Sequence, residues 1–299
     1  MARPARKRVN KQLIKGKLEK LFRLGAFLGV KLVWRSLSHV FEGTSSMSIT
    51  IQDRILLQRA YSVTEQTLNR EGFTVRVATD FDEIRDEIEA AGKHLTPFFW
   101  TNYFDFNHRN GFCLILESKG KGLAYLCTQL IDCGDMDFQQ KYVQRLQAIY
   151  SHDERADLDT DWVCHPMKEI TGKVAYSGDA VTHRDLRIGG KSLEYLGALS
   201  RLSLYFTLMH WVETGWIVGT VRQKDLQRGL GWYYGATRTY PMVEKWNTLP
   251  EGRLANYVFC ASNQSDILWN ARTTTHQLEQ QAQIIKTAIG LASDLAESA

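Results

Sequence analysis

Two apolar, β-branched runs, Lys173 to Val181 and Thr214 to Val221, are separated by one long apolar segment with helical spacing, from Leu193 to Trp211. Strand, helix and strand in that order describe a βαβ unit, and its two strands must run parallel because the helix carries the chain back along the sheet. The helical segment places Leu193, Leu196, Leu199, Leu202, Tyr205 and Phe206 on a face so wide that it must be buried deeply against a sheet. The first strand gives way to a tight Gly189-Gly190 pair, so the reading is strand, glycine turn, helix. Such a turn presents unpaired backbone N–H groups at a helix N-terminus, where the helix dipole also favours negative charge. A phosphate or pyrophosphate is its natural ligand.

The remaining segments fit around this unit. A polar-apolar mix from Ile49 to Leu68 predicts a helix ended by Gly72, and Phe73 to Ala78 alternates like a half-buried strand. Asp80 with Glu83 resembles a capping box opening a helix through Ala91, which Gly92 ends. Phe112 to Glu117 and Leu123 to Leu130 are apolar runs joined by residues 118–122, a β-hairpin signal. Helices are expected over Asp137 to Tyr150, Gln223 to Leu230 and Gln277 to Leu295, a surface loop over Ser151 to Asp161, and a closing strand over Leu254 to Ala261. The fold class expected is mixed α/β, a central sheet with flanking helices.

Charge divides the chain. The formal net charge is +4, yet the first 46 residues hold eleven Lys and Arg against only Glu19 and Glu42, so everything after them is net acidic. The body is therefore not expected to bind nucleic acid. The leading segment has a basic opening, Arg3 to Lys11, followed by Leu13, Leu18, Leu21, Leu24, Leu28 and Leu32 among further lysines. It reads as an amphipathic helix with a cationic face for anionic lipid or nucleic acid, with residues 1–40 as a peripheral membrane contact, or as a poorly ordered tail. Because Met47 opens an ordinary-looking start after a linker at residues 43–46, it also reads as a mis-called extension. The expected division is residues 1–46 as that extension, 47–270 as the α/β domain, and 271–299 as a C-terminal helix that caps the domain or pairs two copies into a homodimer.

Five cysteines, Cys113, Cys127, Cys133, Cys164 and Cys260, lack the close pairs of zinc or redox sites. They read as reduced thiols in a cytoplasm-like compartment, with no metal expected. No stretch approaches the roughly 18 uninterrupted apolar residues of a membrane span, and Arg23 and Lys31 break the only candidate for a secretory signal.

Two phosphate-binding motifs compete for Arg187 to Ser192. The phosphate loop of nucleoside-triphosphate enzymes ends as Gly190, Lys191 and Ser192 do, but its first glycine would fall at Asp185, whose carboxylate repels phosphates. The same residues fit Arg187-x-x-Gly190-x-Ser192, which resembles the Gln/Arg-x-x-Gly-x-Gly/Ala signature of the Gcn5-related N-acetyltransferase superfamily, with Ser192 where that family has Gly or Ala. The order of elements from Phe73 to Ala261 is similar to that family too.

The resemblance implies an acyl-CoA-dependent N-acyltransferase, with acetyl-CoA or another acyl-CoA as co-substrate and a small-molecule or protein amine as acceptor. It implies that the fourth and fifth strands, Val174 to Val181 and Trp216 to Val221, splay apart to take the acyl-pantetheine arm. Cofactor contacts would then come from Val181, Arg184, Arg187, Ile188, Gly189, Gly190, Lys191 and Ser192. A tyrosine near the end of the short helix protonates the leaving thiolate in that family; Tyr233 and Tyr234 lie in that region, at a different spacing from the following glycine. Amine acylation needs a base, for which Asp179 and His183 are candidates, acting directly or through water; each also reads as a turn carboxylate or a surface imidazole. The aromatic stretch Pro97 to His108 reads as a buried cluster under a loop, or as a pocket wall in which Trp100, Tyr103 and Asp105 grip a cationic amine. A second functional reading is a catalytically inactive acyltransferase-like module that binds a membrane surface or a protein partner.

Overall fold

A seven-stranded sheet organises the computed structural model, which describes residues 49–188 and 191–297, all within one compact unit from Met47 to Ala299. The expectations for residues 1–46 and for the Gly189-Gly190 pair lie outside the described residues. Helix α1 (Ile51–Arg70) is the first element among the described residues and starts behind a Thr50–Asp53 capping box, and β1 (Thr74–Ala78) and α2 (Phe81–Ala90) follow, the latter capped by Asp80, which accepts from the backbone of Asp82 and Glu83. The hairpin β2 (Gly111–Ser118) and β3 (Lys121–Asp137) turns through Lys119 (φ 53°) and Gly120 (φ 73°), the two left-handed residues that a tight hairpin turn demands. Then come α3 (Phe138–Tyr150), the two-residue β4 (Asp157–Leu158), the single turn α4 (His165–Lys168) and β5 (Thr171–Thr182).

The βαβ unit is present, with one addition. A five-residue helix, α5 (Arg184–Ile188), stands between β5 and the long helix α6 (Ser192–His210), so Arg187 lies in a helical turn and not in a loop leaving the strand. Strand β6 (Trp216–Arg222) runs parallel to β5. The expected short helix is two, α7 (Gln223–Gln227) and α8 (Leu230–Tyr233), broken by Gly229 at φ 88°, a conformation that no helix interior tolerates. Strands β7 (Arg238–Pro241), β8 (Trp246–Thr248) and β9 (Tyr257–Asn263) lead into α9 (Gln264–Glu297).

The sheet order is β1-β2-β3-β5-β6-β9-β7, antiparallel except for β5 against β6. The closing strand β9 therefore sits inside the sheet, and the unanticipated β7 takes the edge, ending at Pro241, where a missing N–H costs nothing. One face packs on α2, residues 97–106 and α3 through Ile84, Phe99, Phe138 and Tyr142; the other packs on α1, α6 and the start of α9 through Leu57, Leu199, Tyr205 and Ile267. This is a mixed α/β fold with a central sheet flanked by helices. Among the described residues no helix is long and apolar enough to cross a membrane.

The parallel pair is short. Register holds from Val174/Trp216 to Tyr176/Val218 and stops, while β5 continues on β3 and β6 continues on β9. Two local features set this parting. In β5, Asp179 and Ala180 together oppose Leu126 alone, a β-bulge with Asp179 at φ 50°, and a bulge bends its strand. In β6, Gly219 approaches so closely that a Cβ there would lie 2.4 Å from the carbonyl oxygen of Ser177. Gly219 has no positive φ, so any cost of Gly219→Ala comes from that collision with backbone. The substitution is expected to destabilise the protein by about 1–3 kcal/mol in urea unfolding, whereas an unchanged midpoint would show that the apex can relax.

Candidate functional site

Beyond the apex, the diverging strands border a cavity of about 630 Å³. Its walls are residues 176–182 of β5 and 217–222 of β6, with Ser192, Leu193 and Leu196 of α6 on one side and Thr96 and Phe98 on another. The inner edges of residues 177–181 and 219–221 have no strand partner, so their backbone groups border a space instead of a ladder. Tyr176 Oη and Thr220 Oγ1, 3.0 Å apart, link the two strands at the narrow end.

Asp179 is brought into this cavity by the bulge. Its Oδ2 accepts two hydrogen bonds from Thr96, one from the backbone N–H and one from Oγ1, each 2.9 Å. Its Oδ1 has no partner among the described residues. Burial pushes the carboxyl up to about 6, against the opposing pull of the Thr96 hydrogen bonds. A carboxyl so placed exchanges its proton near neutral pH, which is what a general base requires.

Tyr234 also lines the cavity, and burial raises its phenol above the usual range, with Asp225 adding to the effect, so the hydroxyl stays protonated. Tyr233 does not line it: its ring and carbonyl pack where a Cβ on Gly197 would be. His183 sits at the end of β5 outside the lining, its Nδ1 accepting from the Asp185 N–H at 3.2 Å and lying 3.3 Å from Asp185 Oδ2.

Of the residues expected at the coenzyme, Val181 and Ser192 line the cavity. Ser192 begins α6, whose N-cap Lys191 makes no side-chain capping bond, so the first-turn N–H groups keep their orphan character. The Lys191 ammonium instead faces Glu71 at 3.7 Å, and Arg184 is exposed beside Asp185 at 3.8 Å; both cations meet carboxylates. The side chains of Arg187 and Ile188, with Gly189 and Gly190, are outside the described residues.

The aromatic stretch divides. Trp100 stacks on Tyr103 with centroids 5.9 Å apart, and both line a separate cavity of about 340 Å³ with Pro97, Tyr150 and His152. Asp105 is exposed, lines neither cavity, and its carbonyl accepts from Asn110 at 2.8 Å. The structure thus joins Asp179, Val181, Ser192 and Tyr234, and sets Trp100, Tyr103 and Asp105 apart from them.

Sequence reasoning missed Thr96 and Arg253. Thr96 carries no motif, and only the fold brings it 83 residues along the chain to Asp179. Arg253 lines the cavity as half of a buried ion pair, its side chain 8% exposed and that of Glu244 6%. All five cysteines are buried and free, and among the described residues no group of His, Cys, Asp and Glu is placed to hold a metal ion.

No protein-family model matches the chain, and no curated protein matches it. Among solved structures, FeeM, an N-acyl amino acid synthase from uncultured soil microbes, is 11% identical, covering 69% of this chain and 97% of that one at a TM-score of 0.35. An aminoglycoside acetyltransferase in complex with coenzyme A is 13% identical, covering 65% and 96% at a TM-score of 0.34. An aminoglycoside acetyltransferase from Legionella pneumophila is 10% identical, covering 66% and 94% at 0.34. Likeness at these scores carries no argument about the site, which rests on strand order and geometry.

The raised pKa of Asp179 has a definite sign for stability. The folded state binds this proton more tightly than the unfolded chain, whose Asp titrates near 3.9, so its contribution falls as pH rises from about 4 to about 6 and stays low above that. Asp179→Asn keeps an acceptor for Thr96 and removes the partly buried charge. The variant is expected to exceed the wild type by on the order of 2 kcal/mol at pH 8 and to match it at pH 4, read from urea unfolding at the two pH values.

Proposed function

We propose that this protein is an acyl-CoA-dependent N-acyltransferase whose chemistry takes place between the parted strands β5 and β6. The observation that carries the reading is the opening of the sheet between its fourth and fifth strands in spatial order, with the N-terminus of α6 at one side of the gap and Asp179 on the bent strand. The Gcn5-related family opens at the same place for its acyl-pantetheine arm, and the motif resemblance at Arg187 to Ser192 points to the same ligand.

The residues present fit that group. An extended, amide-bearing arm needs backbone donors and acceptors along its length, and the inner edges of 177–181 and 219–221 offer them. A cavity of about 630 Å³ lies within the usual range for small-molecule sites, roughly 300–1,000 Å³. At the start of α6, Ser192 keeps the backbone close to a pyrophosphate, and the helix dipole complements the negative charge. The donor, when bound, supplies a thioester carbon open to attack by an amine.

Asp179 accepts the proton that an ammonium must lose before its nitrogen can attack, directly or through one water, and Thr96 holds the carboxylate in place on Oδ2 while Oδ1 is left to do this. The C–N bond forms as the C–S bond breaks, and the phenol of Tyr234 has the proton that the departing sulfur requires. With a base titrating near 6, activity should rise with pH through that value.

Acetyl-CoA, or a succinyl or longer acyl-CoA, is expected to raise the melting temperature, by the equivalent of about 2.7 kcal/mol at a hundredfold excess over Kd. Ser192→Asp adds a carboxylate that suits the helix start but repels a pyrophosphate, so it should weaken that shift at least about tenfold in apparent Kd without lowering the stability of the free protein. Asp179→Asn should lower kcat by about 10²–10⁴ with the coenzyme shift retained. No shift with any acyl-CoA would refute the reading.

A further inference from the structure

The second cavity, about 340 Å³, has a use that the chemistry at Asp179 does not absorb. Its volume lies within the roughly 300–1,000 Å³ of small-molecule sites, and three aromatic side chains line it, Trp100, Tyr103 and Tyr150. Two of them are fixed by hydrogen bonds. Trp100 Nε1 donates to Leu95 O at 2.8 Å, and Tyr150 Oη accepts from Arg253 Nη1 at 3.0 Å. Tyr103 lies between Trp100 and His152, nearly parallel to both, with centroids 5.9 and 6.5 Å away.

Two carboxylates complete the lining, Asp153 and Glu251, and neither forms an ion pair among the described residues. They are tied together, because the Glu251 N–H donates to Asp153 Oδ2 at 3.2 Å while the Arg155 N–H donates to Oδ1 at 3.0 Å. These backbone bonds, ahead of the weaker pull of His152 and Arg155, hold the Asp153 carboxyl below its usual range, so it stays ionised. Aromatic rings present a negative face, and carboxylates add net negative charge to the same wall. Both attract a cation.

The protein already seats one cation in this manner on another side of the same tyrosine. The Arg253 guanidinium lies 5.4, 5.8 and 5.3 Å from the rings of Tyr150, Trp246 and Tyr257, and Glu244 cancels its charge. The second cavity repeats that combination of rings and carboxylate without a cation of its own. A metal ion suits it poorly, since among the described residues no group of His, Cys, Asp and Glu is placed to hold one. Rings favour a diffuse, weakly hydrated charge over a compact, strongly hydrated one.

We propose that this cavity is a binding site for an alkylated ammonium group, with Trp100, Tyr103 and Tyr150 against its alkyl surface and Asp153 and Glu251 balancing its charge. The site is independent of the acyltransferase reading. It is also close to the main cavity, because Pro97 lines one while Thr96 and Phe98 line the other, so the test must separate the two.

The probes are choline and its neutral carbon isostere, dimethylbutanol, titrated into the full chain in a calorimeter. Choline is expected to bind saturably, and the isostere at least about tenfold more weakly. Glu251→Gln and Tyr103→Leu should each weaken choline binding about threefold or more, while Asp179→Asn leaves it unchanged. Glu251 is exposed and its carboxylate has no partner, so Glu251→Gln should fold like the wild type and carries the test if Tyr103→Leu does not fold. Absence of saturable choline binding, equal affinity for the isostere, or full affinity in Glu251→Gln would each overturn the proposal. Loss of binding in Asp179→Asn would overturn it too, by assigning the cation to the main cavity.

Discussion

Everything distinctive in this structure depends on a parallel strand pair that lasts for three residue pairs and then opens. Opening a sheet in its middle leaves two inner edges whose N–H and C=O groups lose their ladder, and such edges call for another partner. The sheet survives because each half is held from outside, β5 by an antiparallel β3 and β6 by an antiparallel β9. Contact at the apex is kept by a glycine at 219, which lets β6 come up against the Ser177 carbonyl, and by the Tyr176–Thr220 hydrogen bond. Just past it, the bulge at Asp179 turns β5 away.

The bulge is both structural and chemical. It bends the strand and re-aims a carboxylate into the space that the bend creates, so the position of that carboxylate and the existence of the cavity have one cause. A non-glycine residue at positive φ is strained, less so for Asp than for most, and the two Thr96 hydrogen bonds hold it there. Behind the site, Phe98 stacks on Tyr176 and Tyr142, and Tyr142 in turn donates to Glu244, the partner of Arg253. The aromatic layer thus links the wall carrying Thr96 to the wall carrying Arg253.

Several elements were legible before the fold was known because their signals are local. The hairpin turn needs left-handed residues and the chain has Lys119 and Gly120 there; the βαβ unit follows from the spacing of Leu196, Leu199 and Leu202 between two β-branched runs. Other elements were not legible because tertiary packing overrides propensity. Helix α9 begins at Gln264, thirteen residues before the expected start at Gln277. Thr273, Thr274 and Thr275 read against a helix, but Thr273 and Thr275 return their hydroxyls to the carbonyls of Trp269 and Ala271, while Ile267, Leu268 and Ala271 bury themselves in the core. Helix α5 was hidden for a related reason: its five residues are too few to show a period.

The sequence by itself determined the class of the fold and pointed to residues that line the main cavity, since strand and helix periodicities are properties of consecutive residues and Asp179, Ser192 and Tyr234 lie beside recognisable strand and helix ends. Only the tertiary structure decided which candidates share one space. Tyr233 and Tyr234 are adjacent in the chain, yet one packs on Gly197 and the other faces the cavity. Trp100 and Tyr103 look like a cation pocket in sequence and line a different hollow. Thr96 has no signature at all. Its two hydrogen bonds to Asp179 span 83 residues of chain, and such a pairing exists only once the sheet has closed on one side of the gap and opened on the other.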